Sequence, residues 1–205
     1  MIPLPRRPLD PEAGIRHWYE KELGWPTAPG SPVRLVTGLR FDVLDVPVEA
    51  GVAALGRLAP DSPVAVRGDR MRLLVAAGSA EELPGLLEWL EWGALDLDLV
   101  ALGADGSIEA PAPLEPASTG ARPLPTARSG APAVRAGSQE AALRGAAVWL
   151  RPPEPGREVE SSLPTLAALG RGVDAPDLVR LVDTVATHCH RVRLRRAGAQ
   201  RLASS

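Results

Sequence analysis

Apolar residues Ile15, Trp18, Tyr19 and Leu23 recur at i, i+3, i+4 and i+8, the spacing of one helical face. Asp10 stands as N-cap, Pro11 at the first helical position and Glu12 near the positive dipole end, while Gly24 supplies a stop. This face is predicted to pack on a sheet. Beyond "GWPTAPGSP" the period shortens to two, and "VRLVT" and "FDVLDV" read as strands separated by "GLR", short enough for a turn or hairpin. In "FDVLDVP" the alternation puts Val43, Asp45 and Pro47 on one face and Asp42, Leu44 and Val46 on the other. A short helix over about Glu49 to Leu58 follows.

"PVAVR" and "MRLLVAA" flank "GDR" and predict a second hairpin. Ser79 and Glu82 have capping-box spacing at the head of "SAEELPGLLEWLEWG", and Gly93 supplies a stop. Pro84 lacks the N–H for an i−4 bond, so this helix starts either near Ala80 or at Pro84 itself. Leu86, Trp89, Leu90 and Trp92 form its expected buried stripe. "LDLDLVAL" and "SIEAPAP" around "GADG" predict a third hairpin. From Ala110 to about Gly137 periodicity disappears into Pro, Ala, Ser, Gly and Arg, the composition of an extended or disordered loop. "GAAVWL" predicts a strand centred on Val148 and Trp149. The last helix, capped near Asp174, carries Leu178, Leu181, Val182, Val185, Cys189 and Val192 as its apolar stripe. Hairpins dominate over strand–helix alternation, which argues for an α+β fold with a mixed, mainly antiparallel sheet flanked by helices.

Composition narrows this picture without changing it. A chain of 205 residues suffices for one domain with its own core. With 45% hydrophobic but only 3% aromatic residues, that core is built from Leu, Val and Ala around five Trp. A formal net charge of −2 provides no overall field for a polyanion, so any nucleic-acid contact is local. One basic stretch, Arg191, Arg193, Arg195, Arg196 and Arg201, reads either as a solvated helix end complementing the dipole or as a phosphate contact. Cys189 is the only cysteine, which excludes an intrachain disulfide and fits a reducing compartment. No apolar run reaches signal-peptide or membrane-span length, so a cytoplasmic protein without membrane contact is expected.

Familiar chemistries are absent at the level of motif. There is no phosphate-binding Gly-rich loop followed by Lys and Ser/Thr, and no dinucleotide fingerprint. His188, Cys189 and His190 are consecutive, so on a helix they point about 100° apart and do not converge on an ion. His17 lies beside the first helix's apolar face, and no serine sits in a nucleophile elbow.

The order "YEKELGWPTAPG", "VRLVTG", "FDVLDVP", "EAGVAAL", "PVAVRGDRMRLLV", "LDLDLVALGADGSIEAPAP" and "VWLRPPEP" resembles the N-terminal domain of bifunctional DNA primase/polymerases, within the archaeo-eukaryotic primase superfamily. The resemblance runs from about Arg16 to Pro164. It implies a primase/polymerase-like domain over 1–172, with the Pro/Ala-rich loop at about 110–137, and a C-terminal helix with a basic end over 173–205.

The family's first motif is a strand ending Leu-Asp-Val-Asp, whose two carboxylates hold divalent metal. Here Asp45 is retained and Pro47 replaces the second carboxylate. The second motif is a Gly-rich turn leading to a phosphate-contacting His. This chain has Gly68 alone and arginines nearby, so Arg67, Arg70 and Arg72 are the implied nucleotide- or phosphate-binding residues. The third motif, apolar-Asp-apolar-Arg, matches Asp96 and places Asp98 where Arg belongs. Asp45 and Asp96 are thus the implied catalytic residues, with Asp45, Asp96 and Asp98 as the implied ligands of Mg²⁺ or Mn²⁺. Two-metal phosphoryl transfer needs several carboxylates around ions about 3.5–4 Å apart. The losses at Pro47 and in the turn favour a degenerate domain that binds nucleotide or nucleic acid. An active DNA primase/polymerase is the alternative reading, and a scaffold engaging a protein through the C-terminal helix is a third.

Overall fold

Strands β3 (Asp42–Pro47), β4 (Val64–Arg67) and β5 (Arg70–Val75) are built from Val, Leu and Met runs. In the computed structural model, which describes residues 11–113, 145–166 and 177–203, they form the middle of a five-stranded sheet. β6 (Val100–Leu102) and β8 (Val148–Arg151) are its edges, in the order β6-β3-β5-β4-β8, and every pairing is antiparallel. The β4–β5 hairpin around "GDR" is as predicted. A second, three-stranded sheet joins β1 (Thr27–Ala28), β2 (Arg34–Val36) and β7 (Ser107–Glu109), again antiparallel. The architecture is α+β, with antiparallel sheets flanked by helices.

The period-two alternation of β3 divides the core in two. Leu44 and Val46 join Leu73 and Val75 beneath α2 (Val48–Ala54), α3 (Ser79–Trp89) and α4 (Leu178–Ala203). Leu178, Leu181, Val182, Val185, Cys189 and Val192 of α4 are all buried, so the predicted stripe closes the core on this face. On the opposite face Val43 and Leu74 meet Tyr19, Trp25, Phe41 and Trp149, joined by Leu35 and Ile108 of the small sheet. The helix α1 (Pro11–His17), continued by a π-helical turn over Trp18–Glu22, packs there through Ile15, Trp18, Tyr19 and Leu23. Trp25 and Phe41 lie 4.6 Å apart between ring centroids. Trp149 Nε1 donates to the Tyr19 hydroxyl (2.8 Å), which donates to the Pro111 carbonyl (2.7 Å), so the polar atoms of these rings are satisfied despite burial.

Two predicted hairpins are not hairpins. "GLR" leads from β2 in the small sheet to β3 in the large one, and "GADG" leads from β6 back to β7. The two crossings lie against each other: Thr37 donates from its backbone to the Gly106 carbonyl (3.0 Å) and from its hydroxyl to the Gly103 carbonyl (2.6 Å). Gly38, at φ 87°, sits so close that an added Cβ would lie 2.5 Å from the Ala104 Cα. Turn chemistry at both sites was legible, but the choice of sheet rests on these long-range bonds.

Helix ends also differ from the local reading. α3 does start at the Ser79 end and contains Pro84, yet Ser79 is not its cap, because the cap position falls to Gly78, left-handed and with no side chain to offer the turn. Instead Asp42, fully buried on β3, accepts from the Ala80 N–H at 2.9 Å. At the other end Glu91 takes the left-handed position (φ 63°), with Trp92 N–H bonded to the Leu87 carbonyl and Glu91 N–H to that of Glu88. Gly93 comes two residues too late to serve. Trp89, expected in the buried stripe, is 70% exposed, and Leu83 and Leu86 carry that face with Leu87 and Leu90. At roughly 100° per residue, Trp89 falls well off a stripe centred on those leucines. α4 is capped by Asp177, whose Oδ1 accepts from Val179 N–H at 2.8 Å. Asp10, Asp174 and most of the Pro/Ala-rich loop lie outside the described residues. Among the described residues no helix is long and apolar enough to cross a membrane.

Gly38→Ala is expected to cost about 2 kcal/mol or more, from both the left-handed backbone and the contact with Ala104, read as a lower urea midpoint at unchanged slope. Glu91→Gly is expected to act oppositely, raising stability by about 0.5–1 kcal/mol, because a side chain in the left-handed position is strained. A neutral or negative effect in the same urea titration would contradict that account of the α3 terminus.

Candidate functional site

Pairing of β3 with β5 sets Asp45 opposite Arg72 and Pro47 opposite Arg70, while β4 sets Arg67 opposite Arg70. Asp45, Pro47, Arg67, Arg70 and Arg72 therefore share the sheet face whose other end carries the aromatic core. Accessibility rises away from that core, from Arg72 with 10% of its side chain exposed, to Arg70 at 24% and Arg67 at 49%.

Arg70 and Arg72 both turn onto Asp45. Arg70 Nε donates to Asp45 Oδ1 (2.5 Å) and Arg72 Nε to Oδ2 (3.1 Å), so each carboxylate oxygen already accepts from a guanidinium. Arg70 reaches further: Nη2 donates to the Asp45 carbonyl (2.7 Å) and Nη1 to Asp98 Oδ1. Burial opposes the charge on Arg70, but its hydrogen bonds to Asp45 and Asp98 outweigh that and hold its pKa above the ordinary value. Arg67 pairs with Glu109 (3.0 Å).

α4 completes the cluster from the other side of Asp98. Arg196 donates to Asp98 Oδ2 at 3.2 Å, and Arg193 pairs with Asp96 Oδ2 at 3.2 Å while also bonding the Asp96 carbonyl. Arg195 pairs with Glu49. These arginines of the basic end are thus matched to carboxylates, and Arg193 and Arg196 border a cleft of about 470 Å³ between α4 and residues Asp96 to Val100. The side chain of Arg201 lies outside the described residues. The sequence reading missed the approach of Arg193 and Arg196. Their i, i+3 spacing was visible, but nothing local tied that helix face to the segment before β6.

The structure brings Asp45 and Asp98 onto one guanidinium and leaves Asp96 apart, 88% exposed on Arg193. Among the described residues no three His, Cys, Asp or Glu side chains are grouped to hold a metal ion. A hard divalent cation takes about six oxygen ligands, with carboxylate charge to balance it. Here the carboxylate oxygens of Asp45 and Asp98 accept from arginines, and three guanidinium charges surround two carboxylates. The residues present do not fit Mg²⁺ or Mn²⁺, and no step is assigned to either ion.

Two buried polar side-chain atoms have no partner among the described residues, Arg72 Nη1 and Asp42 Oδ1. The second belongs to the carboxylate that caps α3, on the helix face and not in the cluster. Cys189 lies behind Asp98, its Sγ 3.6 Å from the Asp98 carbonyl. Burial first, and then the Asp98 charge, push its thiol up to about 12, with Arg70 opposing. The histidine His190 faces the ring of Trp92 at 6.1 Å, in keeping with a packing role for this stretch.

No protein-family model, curated protein or solved structure matches the chain.

The Cys189 thiol carries a pH prediction. Its folded pKa is raised from 9.0 to about 12, so its contribution to stability is fully present below pH 9 and is lost as pH rises towards the folded value. Between those limits the loss approaches about 1.4 kcal/mol per pH unit. Urea midpoints measured on wild type and Cys189→Ala across the alkaline range should show the steeper decline in wild type, and parallel declines would remove Cys189 as the cause.

Proposed function

We propose that this chain is a primase/polymerase-like module without metal-dependent nucleotidyl transfer, which associates with the phosphates of a nucleotide or nucleic acid through the arginine face of its β4–β5 hairpin. The observation that carries the reading is Asp45 held between Arg70 and Arg72, with both carboxylate oxygens engaged. Arg67, Arg70 and Arg72 are balanced by Asp45, Asp98 and Glu109, so the face draws on geometry more than on net charge, and guanidinium groups are suited to phosphate by their planar fork of donors. Arg67, the most exposed of the three, is the residue placed to meet a ligand first. The resemblance in motif order supplies the nucleotide; the arginine-lined face supports the phosphate. The scaffold reading is less favoured because the apolar stripe of α4 is spent in the core.

Calorimetric titration with a nucleoside triphosphate, with Mn²⁺ and with chelator, tests the proposal. Binding is expected to persist in chelator and to weaken about tenfold in Arg67→Ala, equivalent to about 1.4 kcal/mol. Asp45→Ala, with folding checked by circular dichroism, is expected to preserve or tighten binding because it frees Arg72 and the Nε of Arg70 from a carboxylate. Template-dependent nucleotide incorporation that needs Mn²⁺ and vanishes in Asp45→Ala would overturn the proposal in favour of an active primase/polymerase.

A further inference from the structure

The side chain of Arg70 crosses a strand to reach its second carboxylate. Arg70 belongs to β5, Asp98 leads into β6, and β3 lies between those strands. The crossing falls at Pro47, the register partner of Arg70. Asp45 pairs with Val100 across β3 and β6, so continuing that register by two residues brings Asp98 level with Pro47 on its far side. A proline ring is short on this face. A longer side chain at that position would stand where the guanidinium passes.

We propose that the Arg70 guanidinium is the built-in cation of this centre, occupying a cation-binding position defined by Asp45 Oδ1, the Asp45 carbonyl and Asp98 Oδ1, and that without it the position accepts an external cation. Three oxygens from two segments converge on one side chain, two of them 2.5 Å and 2.7 Å from its nitrogens. The remaining carboxylate oxygens are held by Arg72 and Arg196, which fixes both carboxylates from outside the position. Arg72 is itself nine-tenths buried, so Asp45 has little freedom to turn away. Removing Arg70 leaves partly buried oxygens without a donor, a state costly enough to favour any small cation that restores the contacts. The chemical class is a planar guanidinium ion first, because the three acceptors are already arranged for its in-plane N–H groups. This inference stands on the cluster's geometry alone and is independent of whether the arginine face binds phosphate.

The test is rescue of Arg70→Ala by millimolar guanidinium chloride, read as melting temperature against the same concentration of sodium chloride. Arg70→Ala is expected to melt lower than wild type and to regain about 2–4 °C with guanidinium, whereas wild type gains nothing. The double variant Arg70→Ala/Asp98→Ala is expected to lose the rescue. Rescue by guanidinium supports the assignment, and its absence overturns it. Should Arg70→Ala not fold alone, refolding with guanidinium at a low, non-denaturing concentration gives the same decision, recovery supporting the position and failure rejecting it. Electron paramagnetic resonance of wild type with Mn²⁺ adds a readout that needs no folding of the variant. No bound ion sensitive to Asp45→Ala is expected, and such an ion would overturn the proposal. Since nucleotide is absent throughout, failure here leaves the phosphate-binding reading untouched.

Discussion

The register of β3 against β5 is the constraint on which the rest of the molecule depends. With Leu44 opposite Leu73 and Asp45 opposite Arg72, one face of the pair is apolar and receives three helices, while the other grades from aromatic core to charge. A slip by one residue would carry Asp45 under α4 and expose Leu44 to the arginines. Two further features hold the register. Asp42 on the helix face caps α3, and Arg70 ties the far end of the ladder to the segment before β6. The same six-residue strand thus anchors a helix at its start and a salt-bridge cluster at its end.

Charge in that cluster is compensated locally, by arginines from β5 and α4 around Asp45 and Asp98. Desolvating an ion pair is expensive, and partly buried pairs contribute chiefly when hydrogen bonds satisfy the remaining lone pairs. The carboxylate oxygens of Asp45 and Asp98 meet that condition. Arg72 does so less completely, since its Nη1 lacks a partner among the described residues. The cluster is therefore better seen as a fixed geometry than as a large store of stability.

Much of the fold was legible from periodicity. The alternation in "FDVLDVP", the β4–β5 hairpin and the stripe from Leu178 to Val192 depend on short-range pattern and burial, and the structure has them. The two false hairpins share a different cause. "GLR" and "GADG" have good turn chemistry, but whether the next strand pairs with its predecessor was decided by Thr37 bonding Gly103 and Gly106, about seventy residues along the chain. Trp89 was misplaced because composition favoured burying a tryptophan, whereas helix geometry put the leucines inward. At the candidate site, Asp45 and the arginines near it could be named from the sequence. Their pairing could not, because a carboxylate two residues before a proline carries no sign of which distant cation will meet it.

The paired crossings at Thr37 and Gly103 to Gly106 bear on the order in which the molecule assembles. β2 and β7 lie far apart in sequence, and their ladder closes only when both crossings are in place. A contact across so long a loop adds closure entropy before it returns any bonding. The β4–β5 hairpin, with its two-residue connection, needs no such closure. The β4–β8 edge of the large sheet closes a longer loop still. Both ladders are accordingly expected to follow the β4–β5 hairpin, and these outer strands are the natural place for local opening.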